Sequence, residues 1–186
     1  MKYVIFHICA FITFLSFLIS ILWTKGIIKD ALIASISRIK IRLRNFIDLM
    51  MMITRFILPL PFIEQLRFEI NIATLSLGFI IFIIGIYFIA AGVYKIHRKL
   101  MYNLDINLVT DGVYGIVRHP IYFGDIMWPI GLSIIFGAIC SLLLSPIWII
   151  FYLYTISEEE KVLIHIYGDR YLNYRRRVKK IIPFIY

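Results

Sequence analysis

Long stretches without charge are the feature that most restricts this chain. No charged side chain occurs from Ile72 to Tyr94, and a helix needs about 20 apolar residues to cross the hydrocarbon core of a bilayer. Of the 186 residues, 61% are hydrophobic and only 17% are charged, whereas about a quarter of a soluble domain is charged. The sequence therefore predicts an all-α, polytopic integral membrane protein.

The apolar segments predict five transmembrane helices. Residues 3–23, 46–63 and 72–94 each supply one, and 121–156 is long enough for two. Within the last segment, Gly137, Ser141, Ser145 and Pro146 predict a tight turn and hence a helical hairpin. A signal peptide is the alternative for the first segment, but no small-x-small cleavage site follows it before Lys25. We therefore expect a retained span.

The distribution of basic residues predicts the orientation. The formal net charge is +9, and Lys and Arg concentrate in 25–45, in 95–119 and in the C-terminal tail. Since cytoplasmic loops carry such an excess, the N-terminus is expected outside and the C-terminus inside. The loop at 25–45 is predicted to form an interfacial helix, although part of it alternates as a strand would. Basic loops beside apolar spans favour anionic lipid as the partner over nucleic acid.

Two charges interrupt the second apolar segment. Arg55 would lie deep in the bilayer, where a charge is costly and normally faces the protein interior. Asp48, seven residues earlier, is a possible partner on the same helix face. The alternative is a tilted helix from which Arg55 reaches the headgroups.

Three glycines mark one face of the third predicted span. Gly78, Gly85 and Gly92 recur every seven residues. Glycine removes the side chain and lets a second helix approach closely, so we expect a packing interface. A ligand lying along the stripe is the alternative.

A first polar cluster surrounds Arg118-His119-Pro120, where the fourth span is expected to begin. Proline suits the first turn of a helix because its missing N–H needs no partner there. Tyr114 and Tyr122 flank the cluster. The helix N-terminus favours an anionic group such as a carboxylate. The alternative is an interfacial belt of aromatic and basic residues.

A second polar cluster follows the fifth predicted span. Glu158-Glu159-Glu160 places three acids at an inner membrane boundary, where basic residues are usual. The run is either a solvated helix start or a site that holds a cation. Cys9 and Cys140 lie in apolar surroundings and match no metal-ligand spacing, so neither a disulfide nor a metal site is predicted.

Together, the motifs resemble a known family over residues 95–185. They read Gly112-Val-Tyr, Arg118-His-Pro-Ile-Tyr-Phe-Gly, Glu158-Glu-Glu, Tyr167-Gly and Tyr171-x-x-Tyr. This combination resembles the isoprenylcysteine carboxyl methyltransferases. That family belongs, with the phospholipid methyltransferases, to a larger group of integral-membrane enzymes that use S-adenosylmethionine.

The resemblance implies S-adenosylmethionine as cofactor and a cytoplasmic active site. It implies cofactor contacts for Ile106, Asn107, Leu108, Val109, Tyr114, His119, Pro120, Ile121, Tyr122 and Glu159. The candidates for a direct catalytic role are Arg118, Asp125 and Glu158. The sequence departs from the family pattern at Thr155, where an arginine is expected, and at Asp125, where an aromatic residue is usual. Both departures concern the acceptor.

Three functions follow from these patterns. The first is carboxyl methylation of an isoprenylcysteine-type, membrane-borne lipophilic acceptor. The second is N-methylation of a phospholipid amine, for which Asp125 or a glutamate of the run would serve as base. The third is a non-catalytic channel or transporter with Arg55 and Asp48 in its path. We expect two regions. Residues 1–70 supply N-terminal transmembrane helices with a basic loop, and residues 71–186 form a methyltransferase-like core. The sequence leaves the oligomeric state open.

Overall fold

The computed structural model of this chain describes residues 54–101 and 108–182, without the side chains of 98–101. The predicted first span, the basic segment 25–45 and Asp48 lie outside the described residues. So do Ile106 and Asn107. The expectations for those positions stay predictions.

The described chain is helical. Its helices are α1 (Ile72–Met101), α2 (Val113–Ile116), α3 (Pro120–Ile135), α4 (Ile139–Tyr167) and α5 (Asp169–Arg177). A helical turn at 54–57 precedes them. Across 54–101 and 108–182 there is no strand; two isolated bridges join Arg67 to Ala138 and Val117 to Lys179. The all-α prediction is confirmed for this part of the chain.

Two of these helices are long and apolar enough to cross a membrane, namely Ile72–His97 and Ile139–Tyr167. Apolar side chains such as Leu77, Ile80 and Ile83 of α1 are exposed, which suits contact with lipid. Helix α3 is also apolar but has 16 residues. At 1.5 Å per residue it extends about 24 Å, less than the roughly 30 Å hydrocarbon core. The five-span count stays a prediction.

Helices α1 and α3 pack through glycines on both sides. A Cβ atom at Gly85 would lie 2.6 Å from the backbone nitrogen of Trp128, and one at Gly131 would lie 2.5 Å from that of Phe82. Gly78 faces Gly131, and Gly85 faces Gly124. The predicted packing role of the glycine stripe is confirmed. Helix α3 contributes glycines of its own, Gly124 and Gly131. Backbones can approach this closely only where both helices lack side chains at the contact.

The α3–α4 hairpin turns at Gly137, whose φ is +64°. The predicted hairpin is present, but the turn is shorter than expected, since Ser141, Ser145 and Pro146 lie inside α4. The serines remain helical because their hydroxyls have local partners: Ser145 donates to the carbonyl of Leu142 at 2.6 Å. Ser133 and Ser141 share a 2.8 Å hydrogen bond across the hairpin. Such side-chain bonds let serine occupy an apolar helix.

A segment before α1 is fastened to this turn by Arg67. Its guanidinium donates to the carbonyl oxygen of Phe136 at 2.6 Å. It also donates to those of Pro59, Leu60 and Ile63. Gln65 accepts from the backbone N–H of Ser141 at 3.1 Å. The basic residue in this otherwise acidic loop therefore satisfies backbone carbonyls that no helix pairs.

We predict that Gly85→Ala disrupts the α1–α3 interface. The added methyl group would lie 2.6 Å from backbone rather than from a flexible side chain, so the helices must separate. Overpacking of this kind costs about 1–3 kcal/mol. The melting temperature in detergent should fall. Gly115→Ala is the matched control, because its nearest neighbour would be 3.5 Å away; equal melting of the two variants would contradict the interface.

Candidate active site

Four parts of the chain meet at the N-terminal end of α3. These are α2, the Arg118-His119-Pro120 turn, the last part of α4, and α5 with the tail that follows it. Pro120 occupies the first turn of α3, as predicted. The backbone N–H groups of Arg118 and His119 donate to the carbonyls of Lys179 and Lys180, at 2.8 and 3.2 Å. The tail therefore runs alongside the start of α3 and closes the site on one side.

Glu160 is the centre of the site. The residue is 3% exposed, and its carboxylate is 2.7–2.8 Å from two guanidinium nitrogens of Arg118. The same oxygen accepts from the Tyr171 hydroxyl at 3.1 Å and lies 3.4 Å from Nε2 of His119. The Lys180 ammonium is 3.8 Å from the other oxygen. One buried carboxylate thus joins α3, α4, α5 and the tail.

Arg118 is fully engaged in holding α5. Besides Glu160, its guanidinium donates to the carbonyls of Val178 at 2.5 Å and Arg175 at 3.2 Å. These carbonyls belong to the C-terminal end of α5, where backbone acceptors lack intrahelical partners. A cation is also favourable at that end of the helix dipole. Arg118 therefore caps α5 and fixes it against α4.

Glu159 differs from its neighbour in being accessible. Its side chain is 43% exposed, and its carboxylate lies 4.0 Å from Nδ1 of His119. Burial, with a contribution from the Glu159 charge, raises the pKa of Tyr114 to about 12. Tyr114 thus stays a neutral phenol beside an accessible carboxylate. Glu159 and the two buried residues beside it, His119 and Tyr114, form what we call the open face of the site.

Tyr174 fixes the backbone of the open face at Tyr114. Its hydroxyl donates to the backbone carbonyl of Tyr114 at 2.6 Å. Burial raises the pKa values of both Tyr171 and Tyr174, and the Glu160 carboxylate raises them further. Both tyrosines therefore remain protonated donors.

The glutamate run lies inside α4, which continues to Tyr167. Of the two alternatives for the run, the solvated helix start is therefore wrong. An α-helix turns about 100° per residue, so the three acids point in different directions. The Glu158 side chain, 16% exposed, pairs with Lys161 at 2.7 Å. Glu160 points into the protein, and Glu159 is the most exposed of the three.

An aromatic path leads from His119 into the apolar core. The His119 and Tyr122 rings are 6.0 Å apart, and Tyr122 lies 5.4 Å from Tyr152 of α4. The Tyr152 hydroxyl donates to Asp125 at 3.1 Å. The other Asp125 oxygen accepts from the indole of Trp128 at 3.0 Å. Asp125 is therefore engaged on both oxygens.

Arg55 ends this path. Its guanidinium lies 3.8 Å from the Asp125 carboxylate and donates to the Asp125 carbonyl at 3.1 Å. It also lies 5.3–5.8 Å from the ring centres of Trp128, Trp148 and Tyr152, within range of cation–π attraction. Arg55 is 5% exposed, so the interpretation that it reaches the headgroups is wrong. Its partner among the described residues is Asp125.

The structure brings most of the predicted site residues together. Tyr114, His119, Pro120, Tyr122 and Glu159 surround the start of α3. Ile121 instead packs toward Gly92 of α1. Leu108 and Val109 are partly buried just before α2. Arg118 also lies at the start of α3, but its guanidinium is occupied by Glu160 and by backbone carbonyls of α5 and Val178.

Sequence reasoning missed the separate role of Glu160 and the contribution of Tyr152. No sequence spacing distinguishes the three glutamates, because only the rotation of α4 decides which one is buried. The Arg55–Asp125 pair was also missed, since its members are 70 positions apart. The aromatic residues around it, Trp128, Trp148 and Tyr152, were a usable signal for a buried cation.

Comparison with known proteins identifies a family for this chain. The family model described as phospholipid methyltransferase matches residues 73–170, more than half of the chain. The chain belongs to the phospholipid methyltransferase family. The match begins at α1 and ends in the second residue of α5, so it includes the glycine interface, the hairpin and most of the site. The resemblance inferred from the motifs is confirmed.

Individual relatives of this methyltransferase family carry more specific names. The chain is 42% identical over 84 residues to protein-S-isoprenylcysteine O-methyltransferase of Schizosaccharomyces pombe, covering 45% of this chain and 36% of the relative. The human protein of that name is 42% identical over 80 residues, covering 42% and 28%. Methanethiol S-methyltransferase of Crocosphaera subtropica is 37% identical over 78 residues, covering 41% and 29%. The chain thus matches about a third of these relatives' length, and no solved structure matches it.

We predict energetic coupling between Arg55 and Asp125. Arg55→Leu leaves the partly buried Asp125 carboxylate without its cation, and breaking such a pair is destabilising. Asp125→Asn leaves the cation without its carboxylate, and the double variant removes both charges. Unfolding in detergent should show a coupling free energy of about 0.5–3 kcal/mol. Strictly additive effects would contradict the pair.

Proposed function

We propose that this protein is an S-adenosylmethionine-dependent methyltransferase that acts on a lipophilic acceptor in the membrane. The leading acceptor is the carboxylate of an isoprenylcysteine-type group. The observation that carries the proposal is the division between two adjacent glutamates. The Glu160 carboxylate is buried and paired with Arg118, so it is not available to a ligand. The Glu159 carboxylate is accessible beside His119 and Tyr114.

The open face fits the chemistry of the cofactor. S-adenosylmethionine carries an ammonium, a carboxylate and a sulfonium cation. Glu159 would hold the ammonium through a charge-assisted hydrogen bond. The rings of Tyr114 and Tyr122 would face the sulfonium through cation–π attraction. The start of α3, at Pro120 and Ile121, would lie toward the carboxylate.

The remaining predicted cofactor contacts extend this face along the chain. Leu108 and Val109 precede α2 and would form an apolar wall. Ile106 and Asn107 lie outside the described residues and stay in the proposal on the family resemblance alone. His119 is buried between Glu159 and Glu160 and would orient the Glu159 carboxylate.

Methyl transfer from a sulfonium needs orientation more than acid or base chemistry. The cofactor supplies the activated methyl group when bound. The chain positions the acceptor in line and excludes water. A carboxylate acceptor arrives ionised and needs no general base. The contacts of Asp125 favour a structural role over that of a base, because its carboxylate interacts with Trp128, Tyr152 and Arg55.

The other catalytic candidates take supporting roles in this proposal. Arg118 positions Glu160 and the end of α5. Glu158 is partly buried and forms an ion pair with Lys161, one turn further along α4. At position 155, where the resemblance implies an arginine, the Thr155 hydroxyl donates to the carbonyl of Phe151 at 3.0 Å. The acceptor is therefore bound here without a cation at that position.

The acceptor assignment rests on the relatives named as protein-S-isoprenylcysteine O-methyltransferases. The thiol-methylating relative favours a small sulfur acceptor as the second candidate. A phospholipid amine would need a base, and the Asp125 contacts do not favour one. A channel or transporter is not favoured either, since Arg55 is enclosed by three aromatic rings.

The topology completes the proposal. With the N-terminus outside, the site and the C-terminus are cytoplasmic, where the soluble cofactor enters. The lipophilic part of the acceptor enters from the bilayer between helices. The division into residues 1–70 and a methyltransferase core at 71–186 is part of the same proposal. Helices α1 and α4 are the spans of that core with the length to cross the membrane.

We predict saturable binding of S-adenosylmethionine by the purified protein in detergent. Glu159→Gln removes the charge that would hold the cofactor ammonium, and a hydrogen bond to a charged group contributes about 1.5–3 kcal/mol. Affinity measured by calorimetry should fall at least tenfold. Glu64→Gln is the matched control, since Glu64 is exposed at the opposite end of the described chain. Absence of binding by the parent protein would contradict the proposal.

We predict methyl transfer from radiolabelled S-adenosylmethionine to a farnesylcysteine analogue. The product should release its label as methanol in base, because methyl esters hydrolyse whereas N-methyl and S-methyl groups do not. Phosphatidylethanolamine and a small thiol are offered in parallel. Base-stable label on either one, with none on farnesylcysteine, would replace the leading acceptor by that compound.

A further inference from the structure

Helix α5 has two faces with different partners. Tyr171 and Tyr174 are buried, with 1% and 3% of their surface exposed. The rest of the helix surface is exposed and strongly basic. It carries Arg170, Arg175, Arg176 and Arg177 beside one acid, Asp169, and Lys179 follows two residues after the helix. We call the four arginines and Lys179 the basic face.

The buried side of α5 is connected to the active site. The Tyr171 hydroxyl donates to Glu160, and the Tyr174 hydroxyl donates to the carbonyl of Tyr114. Arg118 caps the C-terminal end of the helix. Any displacement of α5 must therefore disturb Glu160, and with it the open face at Tyr114 and Glu159.

Helix α5 packs against Glu160 and Arg118, which lie where α4 and α3 are expected to leave the membrane. Helix α4 is long and apolar enough to span a membrane and ends at Tyr167. The chain turns at Gly168, whose φ is +53°, and α5 begins at the next residue. Exposed apolar side chains lie on both sides in sequence, Ile166 before α5 and Ile182 after it. Cations flanked by apolar side chains are typical of segments that lie in the headgroup layer.

We propose that the basic face binds the headgroups of anionic phospholipids and that this binding stabilises the docked position of α5. The partner is thus a negatively charged membrane surface. Guanidinium groups match phosphate geometry through paired hydrogen bonds. The expected consequence is tighter cofactor binding in an anionic bilayer, and this second part rests on the function proposed above.

Lipid charge can be varied with the full chain in nanodiscs. One set contains phosphatidylcholine alone, and the other contains equal parts of phosphatidylcholine and phosphatidylglycerol. Backbone hydrogen exchange over residues 169–177 reports α5 docking without any cofactor. Calorimetric titration with S-adenosylmethionine reports the open face separately.

We expect slower exchange of α5 and severalfold tighter cofactor binding in the anionic nanodiscs. The triple variant R175Q/R176Q/R177Q should lose both responses, because each cation near a charged surface contributes roughly fivefold to binding. Removal of all three therefore weakens lipid binding by about a hundredfold. Lys161→Gln removes an exposed cation outside α5 and should respond as the parent protein does.

The two readouts separate the possible failures. Lipid-dependent exchange without cofactor binding in either membrane would leave the lipid surface standing and overturn the proposed function. Equal exchange in the two membranes, or an unchanged response of the triple variant, would overturn the lipid surface. Oligonucleotide binding in neutral nanodiscs that is lost in the triple variant, without any response to lipid charge, would replace the membrane by nucleic acid as the partner.

Discussion

The buried ion pair between Arg118 and Glu160 is the interaction on which the rest of the site depends. Removing two charges from water is costly, and the cost is recovered only where geometry is good and the remaining donors and acceptors are paired. Here both conditions hold, with contacts of 2.7–2.8 Å and further bonds from Tyr171 to the carboxylate and from the guanidinium to α5. The pair thereby fixes α3, α4 and α5 in one arrangement.

This arrangement explains how a short polar run can serve structure and function together. Glu160 is turned inward and is saturated with donors, whereas one residue of rotation leaves Glu159 accessible. His119 lies between the two carboxylates, 3.4 Å from one and 4.0 Å from the other. It thus links the rigid part of the site to the open face. The glycine interface provides the second constraint, because it holds α3 at a fixed distance from α1.

Local signals predicted much of this fold. Pro120 marks the start of α3, Gly137 marks the hairpin turn, and Gly78, Gly85 and Gly92 form the packing face of α1. Each feature follows from the backbone properties of a single residue type. The all-α class and the motif residues around His119 followed in the same way, and the family match agrees with them.

The missed features depend on contacts between distant parts of the chain. Arg55 pairs with Asp125 of α3, and the tail pairs with the backbone of Arg118 and His119. Periodicity in one segment carries no information about such partners. The continuation of α4 through the glutamate run was missed for a related reason. The end of an apolar stretch marks the end of a membrane span but not of the helix. Here the inward contacts of Glu160 and the Glu158–Lys161 pair support the helix beyond its apolar part.

The central claim is that Glu160 holds the site together and Glu159 does not. Its most direct test is thermal unfolding of Glu160→Gln and Glu159→Gln in detergent without cofactor. Loss of the Glu160 charge leaves Arg118 buried without its partner, which costs about 3–5 kcal/mol, so the melting temperature should fall by many degrees. Glu159→Gln should melt as the parent protein does. Equal melting of both variants, or greater loss in Glu159→Gln, would contradict the account.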